Sequence, residues 1–350
     1  MPKGSLSEPA MIKACDAAAE HIAALKPSFV FGSLAAGADL AMAERLLGND
    51  VPFRSILPCE LDHFRDYSIT PYGDFWVSKF ENVLKNLKDI SFAFNRNCKP
   101  DKAMLRATSR LTMGSTLMQA EATRAKALQV AVIGAGNNST NPGSTMEDLS
   151  IWQKAGQDNI IFGGGNADFS LVEAPLNECA LLFADVKGYS SLDTMQLKHV
   201  HTVLFPAIAK LLDSSSNVKY RNTWGDGIFF TVDSALEAAS LSLQLNALVA
   251  DYGTTESIGG LRVGLHYGAT EMYDDPISKR MNLYGPEVTH AARIEPVSIP
   301  GLAHASHHYA ARLTLEMASC DKHEFKMEYA GKIELAKRAG LSKLFRLESI

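Results

Sequence analysis

The sequence has few cysteines, no long apolar run and no strong excess of charge of either sign. Its five cysteines are scattered over 350 residues without a CxxC pair, which argues against a disulfide framework or a zinc site and favours reduced thiols. No stretch approaches the roughly 18 apolar residues of a membrane span, and the first residues lack the apolar core of a signal peptide. The net charge of −5 gives no electrostatic reason to expect nucleic-acid binding. We therefore expect a cytoplasmic protein without a membrane or nucleic-acid partner.

The chain does contain enough apolar material for two cores. Apolar residues make up 46% of the sequence, and 350 residues suffice for two domains of ordinary size. Three consecutive glycines at 163–165 follow an apolar segment and lead into a polar stretch that is typical of a linker. The sequence therefore predicts an N-terminal domain at 1–165, a linker at 166–177 and a C-terminal domain at 178–350.

Apolar strand-like segments alternate with helical patterns in the N-terminal half. Strands are predicted at 28–34, 53–59, 90–95, 128–136 and 158–163, and helices at 38–47, 115–127 and 144–156. Such alternation is typical of a doubly wound, parallel α/β sheet. We expect this architecture for the first domain.

Two glycine-containing loops follow predicted strands, where α/β folds bind ligands. Both loops could offer backbone N–H groups to an anion at a helix N-terminus, although neither has the GK[ST] ending of a P-loop. The pattern resembles the SLOG-type Rossmann-like domains, which implies a regulatory sensor of a small nucleotide-derived ligand. A purely structural or dimerising role is the alternative. The candidate ligand residues are Gly32, Ser33, Gly37, Gly134, Gly136, Gly143, Ser144 and Thr145.

Two aspartates stand at predicted strand ends in the C-terminal half. Asp185 ends the apolar part of LLFADVKGYSS, just before a glycine-bearing bend, and Asp226 lies in the turn of RNTWGDGIFF. An aspartate in such a position is often only a turn residue or a helix cap. As a pair, however, the two could hold two Mg²⁺ or Mn²⁺ ions, which take carboxylate and phosphate oxygens. Two such ions can activate an attacking hydroxyl and stabilise the leaving group of a phosphoryl displacement.

Five motifs follow one another between residues 178 and 348. They are FADVKGYSSL, NTWGDG, LRVGLHYGA, YGPEVTHAARIE and EYAGKIELAKRAGLSKLFRLES. In this order they resemble the class III nucleotidyl cyclase catalytic domain. The resemblance implies an α+β domain with a ferredoxin-like core, which converts a nucleoside triphosphate to a 3′,5′-cyclic nucleotide for second-messenger signalling. It also implies a homodimer, because in that family one domain supplies the metal carboxylates and the other supplies the arginine helix.

The resemblance also implies roles for individual residues of this chain. Asp185, Asp226 and Val186 match the metal-binding positions, and Arg293 matches the transition-state arginine of the family. Thr289 stands where the family usually has an asparagine that orients the ribose. The implied substrate-binding residues are Val186, Lys187, Gly188, Tyr189, Ser190, Asn222, Gly225, Asn282, Lys337 and Arg338.

Several positions depart from the pattern of adenylyl cyclases. Asn222 and Asn282 replace a base-reading Lys and a base-reading Asp or Thr, while Ala336 replaces a phosphate-binding Lys beside Lys337 and Arg338. An amide carries one acceptor and one donor group, so it can pair with adenine, cytosine or uracil. Pyrimidine cyclases of bacterial antiphage signalling also depart from the purine pattern, which favours UTP or CTP here. An adenylate cyclase that uses ATP, or a degenerate nucleotide-binding protein without turnover, is the alternative.

Overall fold

The structure, a computed structural model, describes residues 8–94, 98–134, 143–164, 177–253, 259–320 and 324–350. The chain divides into two units, Met1–Pro175 and Leu176–Ile350. Gly136 and nearly all of the predicted linker at 166–177 lie outside the described residues. None of the described helices is both long enough and apolar enough to span a membrane.

Helices and strands alternate in the first unit. The helices are α1 (Glu8–Leu25), α2 (Ala38–Gly48), α3 (Leu61–Ser68), α4 (Asp74–Asn86), α5 (Lys102–Thr123) and α6 (Thr145–Lys154). The strands are β1 (Val30–Gly32), β2 (Phe53–Leu57), β3 (Asp89–Phe92), β4 (Leu128–Val132) and β5 (Asp158–Phe162).

The strands of the first unit pair in parallel, as the alternation of strands and helices predicts. They form two sheets in the described part of the chain, β1–β2–β3 and β4–β5, rather than the single doubly wound sheet that we expected. Apolar side chains of α1, α2 and α4 share a core with β4. This common core, rather than continuous strand pairing, connects the two sheets.

Helix α5 begins 13 residues before the predicted start at Ser115. Asp101 caps it, because its side chain accepts a hydrogen bond of 2.8 Å from the Met104 N–H. The buried residues of its first half are partly polar, since Arg106, Thr108 and Arg110 lie among Met104 and Leu111. The hydroxyl of Thr108 donates to the carbonyl four residues earlier, which satisfies it within the helix. Hydrophobic periodicity therefore could not reveal this half of the helix.

The second unit combines a large sheet with helices and a separate hairpin. Its strands are β6 (Glu178–Val186), β7 (Val218–Trp224), β8 (Gly227–Val232), β9 (Leu261–Ala269), β10 (Glu271–Asp275), β11 (Arg280–Tyr284), β12 (Ala303–Ser306), β13 (Phe325–Glu334) and β14 (Leu341–Ser349). Its helices are α7 (Thr194–His199), α8 (Phe205–Asp213), α9 (Ala235–Gly253), α10 (Pro286–Ile294) and α11 (His307–Cys320). A π-helical segment, Val200–Leu204, joins α7 to α8.

The large sheet has the strand order β13–β14–β12–β9–β6–β8–β7, and β10 pairs with β11. Neighbours in the large sheet are antiparallel except β9 and β12, which are parallel. Side chains alternate along β6, as the strand period requires. Leu182 and Ala184 face a core with α8, α9 and α11, whereas Leu181 faces a smaller core with α10. The predicted α+β fold of this unit is confirmed.

Two glycines in the central strand β9 allow α10 to pack directly on the sheet. A Cβ atom at Gly264 would lie 2.5 Å from the backbone nitrogen of Glu295, and one at Gly268 would lie 2.5 Å from Cγ of Glu287. Real Cβ atoms do not approach other atoms so closely, so a larger residue would push the helix away. The sequence LRVGLHYGA therefore sets the position of α10, which carries Thr289 and Arg293.

Candidate active site

The two predicted metal aspartates lie at the same end of the large sheet. Asp185 is the penultimate residue of β6, and Asp226 follows Gly225 in the turn between β7 and β8. Gly225 has a φ of 62°, a left-handed conformation that suits glycine. Burial raises the pKa of Asp226, and the neighbouring carboxylate of Asp185 raises it further. The structure therefore places the two carboxyl groups next to each other, and the positive charge nearby does not offset both negative charges.

An arginine and a glutamate that the sequence did not single out complete this cluster. Arg262 of β9 stands opposite Asp185 in the strand register and forms an ion pair with it. Its Nε lies 2.8 Å from Oε1 of Glu295, an ion pair without hydrogen-bond angles. Burial raises the pKa of Glu295 to about 7 against the opposing effect of Arg262. Only the pairing of β6 with β9 places Arg262 here, so a linear motif gave no signal for it.

The donor set fits a divalent cation that is also bound by substrate. Two adjacent carboxylates repel each other, and a cation between them relieves that repulsion. Within the described ranges, no group of three or more His, Cys, Asp or Glu side chains could hold a metal ion by itself. Phosphate oxygens and water would therefore complete the shell around Asp185, Asp226 and the carbonyl of Val186.

Fewer backbone N–H groups remain for phosphate in the predicted phosphate-binding turn than the sequence suggested. The Lys187 N–H donates to the Gly260 carbonyl at 2.9 Å, so it cannot serve as one of the predicted phosphate donors. Gly188 adopts a left-handed φ of 91°, and its carbonyl accepts the first bond of the following 3₁₀ turn from Ser191. The N–H groups of Gly188, Tyr189 and Ser190 precede that first bond. These three are the remaining backbone candidates.

Helix α10 and the loop before β14 lie side by side. Thr289 is exposed and Arg293 is half-buried, one turn apart on the same face. Ile294 packs against Leu335, and the turn Ala336–Arg338 contacts α10. Lys337 and Arg338 are exposed beside this helix. In the described part of the chain Arg293 has no ion-pair partner, so its guanidinium is available to an anion.

A buried histidine fixes α10 on the sheet, and sequence reasoning missed it. His266 of β9 lies with Nε2 2.6 Å from Oε2 of Glu287 and with Nδ1 2.7 Å from Oγ of Ser306. All three residues are buried. Because Glu287 lies in the first turn of α10, the interaction positions the helix that carries Arg293. The position of His266 between Gly264 and Gly268 was the available signal.

The two predicted base-reading residues lie near each other, and Tyr220 joins them. Tyr220 Oη donates to Asn282 Oδ1 at 2.9 Å. Burial raises the pKa of Tyr220, and a side-chain hydrogen bond with Asn222 opposes that shift. Tyr220 and Asn222 are two residues apart on β7, so they face the same side of the sheet. The hydrogen bond from Tyr220 to Asn282 links β7 to the hairpin β10–β11.

In the first unit, the described candidate ligand residues lie in two loops. Gly32 ends β1, Ser33 and Gly37 belong to the loop before α2, and Gly134 bridges to Gly164. The polar groups of the second loop form hydrogen bonds within the protein. The Gly143 N–H donates to Glu147 at 2.6 Å, and Ser144 caps α6, where Thr145 is the first residue.

Acidic groups surround the second loop. Burial raises the pKa of Asp148 to about 7. Glu147 forms a buried ion pair with Arg106. A carboxylate of the protein thus occupies the N-terminus of α6 that we expected to be open to an anion.

A family model matches the second half of the chain. The family model of the adenylate and guanylate cyclase catalytic domain matches residues 171–348. A search of curated proteins gives no significant match. The solved adenylyl cyclase CyaB from P. aeruginosa is 16% identical, with a TM-score of 0.41, and the match covers 51% of this chain and 96% of that one.

Two further structures from other organisms show the same extent of similarity. The guanylate cyclase domain of RhGC from Catenaria anguillulae, solved with GTP, is 19% identical with a TM-score of 0.41, covering 50% of this chain and 97% of that one. An adenylate cyclase from Trypanosoma brucei in its monomeric state is 20% identical with a TM-score of 0.38, covering 51% and 92%. Because the family model spans half of the sequence, the chain belongs to the family of adenylate and guanylate cyclase catalytic domains.

Proposed function

We propose that the second unit converts a pyrimidine nucleoside triphosphate to its 3′,5′-cyclic monophosphate and pyrophosphate. The observation that carries this proposal is the pairing of Asp185 with Asp226 at one end of the sheet. The cyclic product would act as a second messenger, in antiphage signalling as in the pyrimidine cyclases that the sequence resembles. The preference for UTP or CTP rests on Asn222 and Asn282, which stand where adenylyl cyclases have other residues.

The reaction joins the ribose O3′ to the α-phosphorus and breaks the bond from that phosphorus to the oxygen that bridges it to the β-phosphate. The 3′-hydroxyl proton passes to water, and pyrophosphate leaves with the bridging oxygen. Two Mg²⁺ or Mn²⁺ ions bound by Asp185, Asp226 and the Val186 carbonyl would lower the pKa of the 3′-hydroxyl and neutralise the leaving pyrophosphate. Arg262 balances the charge of Asp185 and, through Glu295, is held against the end of α10. The N–H groups of the turn after β6 would bind the triphosphate.

Arg293 would bind the equatorial oxygens of the α-phosphate, where negative charge accumulates in the transition state. The buried pair of His266 and Glu287 holds its helix in place. Lys337 and Arg338 lie beside the same helix and would bind phosphate in place of the Lys that Ala336 lacks. Thr289 would contact the ribose with its hydroxyl group.

The active form would be a homodimer in which each site uses two subunits. One subunit would supply Asp185 and Asp226, and the other would supply Arg293. A two-fold dimer of this kind forms two equal sites. For the first unit we propose a regulatory role through a small nucleotide-like ligand, with the loop from Gly32 to Gly37 as the candidate, because Glu147 and the cap of α6 already bond the second loop.

A degenerate, nucleotide-binding function is the second candidate. The ion pair of Arg262 with Asp185 occupies part of the metal site, and Thr289 and Ala336 depart from the family pattern. A protein of this kind would bind nucleoside triphosphates and signal through its conformation without forming product.

The decisive experiment incubates the purified protein with each of the four nucleoside triphosphates and Mn²⁺ or Mg²⁺, with products identified by mass spectrometry. Cyclic UMP or cyclic CMP as the main product is the expected result. If cyclic AMP were the main product, the protein would be an adenylate cyclase and the proposed preference for pyrimidines would be wrong. Binding of a triphosphate without any cyclic product would favour the degenerate alternative.

A further inference from the structure

The amide of Asn282 is held in one orientation by its neighbours. Its Oδ1 accepts from the backbone N–H of Leu283 at 2.8 Å, and its Nδ2 donates to Oδ2 of Asp275 at 3.4 Å. A backbone N–H can only donate and an ionised carboxylate can only accept. The two contacts are therefore incompatible with a flipped amide. Hydrogen bonds from the backbone of Ile277 and from Ser278 keep the pKa of Asp275 below its ordinary value, so it stays an acceptor.

Tyr220 uses the remaining acceptor capacity of this amide. A carbonyl oxygen has two lone pairs, and Oδ1 of Asn282 already accepts from Leu283. The hydroxyl of Tyr220 donates to the same oxygen at 2.9 Å. Asn282 thus has no lone pair left for a base, whereas one of its two N–H donors remains without a partner among the described residues.

Asn222, by contrast, keeps a lone pair that can accept. Its Oδ1 accepts from the Thr223 N–H at 2.9 Å, which leaves one lone pair, and its amide group is hydrogen-bonded to Tyr220. Asn222 thus keeps one acceptor and one N–H, whereas Asn282 keeps one N–H alone. When Asn222 accepts, the two asparagines present an acceptor beside a donor. The edge of uracil has the complementary pattern of a donor at N3–H and an acceptor at O4. Cytosine has the reverse pattern, with an acceptor at N3 and an amino donor at C4.

We propose that Tyr220 is a positioning residue that makes Asn282 a donor only, so that the site selects UTP over CTP. This inference rests on the proposed cyclase function and deepens it from a pyrimidine to a base with a carbonyl at C4. Asn282 stands where the Asp of adenylyl cyclases accepts from the amino group of adenine, so it would face the substituent at C4 of a pyrimidine. The amino group of CTP would then meet the Asn282 donor, and both groups would be left unsatisfied. A site built for one hydrogen-bonding pattern rejects the other strongly, because its own polar groups then lose their partners.

The test compares kcat/KM for UTP and CTP in the wild type and in Tyr220→Phe. Removing the hydroxyl returns a lone pair to Asn282, so it can accept from the cytosine amino group. We expect the wild type to favour UTP and the ratio of UTP to CTP to fall about tenfold or more in the variant. Tyr273→Phe is the matched control. It removes a hydroxyl from the neighbouring strand β10 at the position that pairs with Asn282, and it should leave the ratio unchanged.

Asn282→Asp provides a second variant with a predicted reversal. A carboxylate at this position only accepts, so it should shift preference toward CTP. Binding of α,β-methylene UTP and α,β-methylene CTP, measured by calorimetry, gives the same comparison without turnover. A wild type that binds or converts CTP as well as UTP would overturn the inference, as would an unchanged ratio in Tyr220→Phe. Preferred binding of the UTP analogue without any cyclic product would support the inference and contradict the proposed catalysis.

Discussion

Carboxylates beside an arginine occur in both units, and the two groups differ in how far their charges are balanced. In the first unit the side chain of Glu147 is 5% exposed and pairs with Arg106, which is 2% exposed. In the second unit the side chain of Asp185 is 22% exposed and pairs with Arg262, but a second carboxylate, Asp226, lies beside it. The first group is a closed pair inside the protein. The second keeps a surplus of negative charge within reach of solvent.

This difference separates a structural pair from a candidate site. Glu147 also accepts from the Gly143 N–H, so its oxygens have partners within the fold. Burial of a carboxylate therefore does not by itself indicate function. The surplus around Asp185 and Asp226 does, because a cation and a phosphate group together would balance it.

The largest expected effect comes from removing one of the two carboxylates that carry this surplus negative charge. Asp226→Ala should lower kcat/KM by about a thousandfold or more, because the loss of a metal carboxylate removes several kcal/mol of transition-state stabilisation. The fold should survive, since the substitution relieves a repulsion. Asp233→Ala is the matched control. It lies just beyond the other end of β8 and forms a surface ion pair with Lys219, so activity should remain. Near-normal turnover in Asp226→Ala would contradict the metal assignment.

The opposite outcome is expected for the closed pair of the first unit. Arg106→Ala leaves the buried carboxylate of Glu147 without its counter-charge, which should lower the free energy of unfolding by roughly 3–5 kcal/mol. Urea unfolding followed by circular dichroism measures this loss. Arg54→Ala breaks a more exposed ion pair with Asp89 in the same unit and should cost less than about 1 kcal/mol. Equal losses in the two variants would show that Arg106 and Glu147 are not a special pair.

Asp148 extends the comparison, because its carboxyl group stays protonated instead of being paired with a cation. Burial raises its pKa to about 7, so the folded state keeps a proton that the unfolded state loses near pH 4. Stability is therefore lost as the pH rises from about 4 to about 7. Asp148→Asn should be more stable than the wild type by about 1–2 kcal/mol at pH 8, and the difference should vanish near pH 4. Urea unfolding at both pH values measures it, and no gain at pH 8 would contradict a buried, protonated Asp148.

The sequence predicted most elements whose pattern is local. Apolar runs with a polar residue at the end located β6 and the turn that carries Asp226, and the family motifs placed α10. The start of α5 could not be predicted, because Arg106 and Arg110 interrupt the apolar pattern of its buried residues. Local pattern alone cannot distinguish a paired buried arginine from an exposed one.

The sequence alone also could not identify residues that act through cross-strand contacts. Arg262 reaches Asp185 only through the register of β9 with β6, and Tyr220 reaches Asn282 only because the hairpin lies beside β7. The Lys187 N–H was assigned to phosphate because nothing in the sequence shows that the Gly260 carbonyl takes it. The motifs therefore located the candidate site residues, but not the residues that contact them across strands.

The smallest expected effect concerns whether two subunits together form the site that contains Asp185. If one subunit supplies Asp185 and the other Arg293, Asp185→Ala and Arg293→Ala should each be inactive alone. After mixing and subunit exchange, half of the dimers are mixed and each has one of its two sites complete, which gives about a quarter of wild-type activity. Mass spectrometry of intact dimers with one variant isotope-labelled confirms the exchange. A double variant, Asp185→Ala with Arg293→Ala on one chain, mixed with wild type should give no such gain over dilution. Absence of rescue in a mixture that has exchanged would mean that each chain completes its own site.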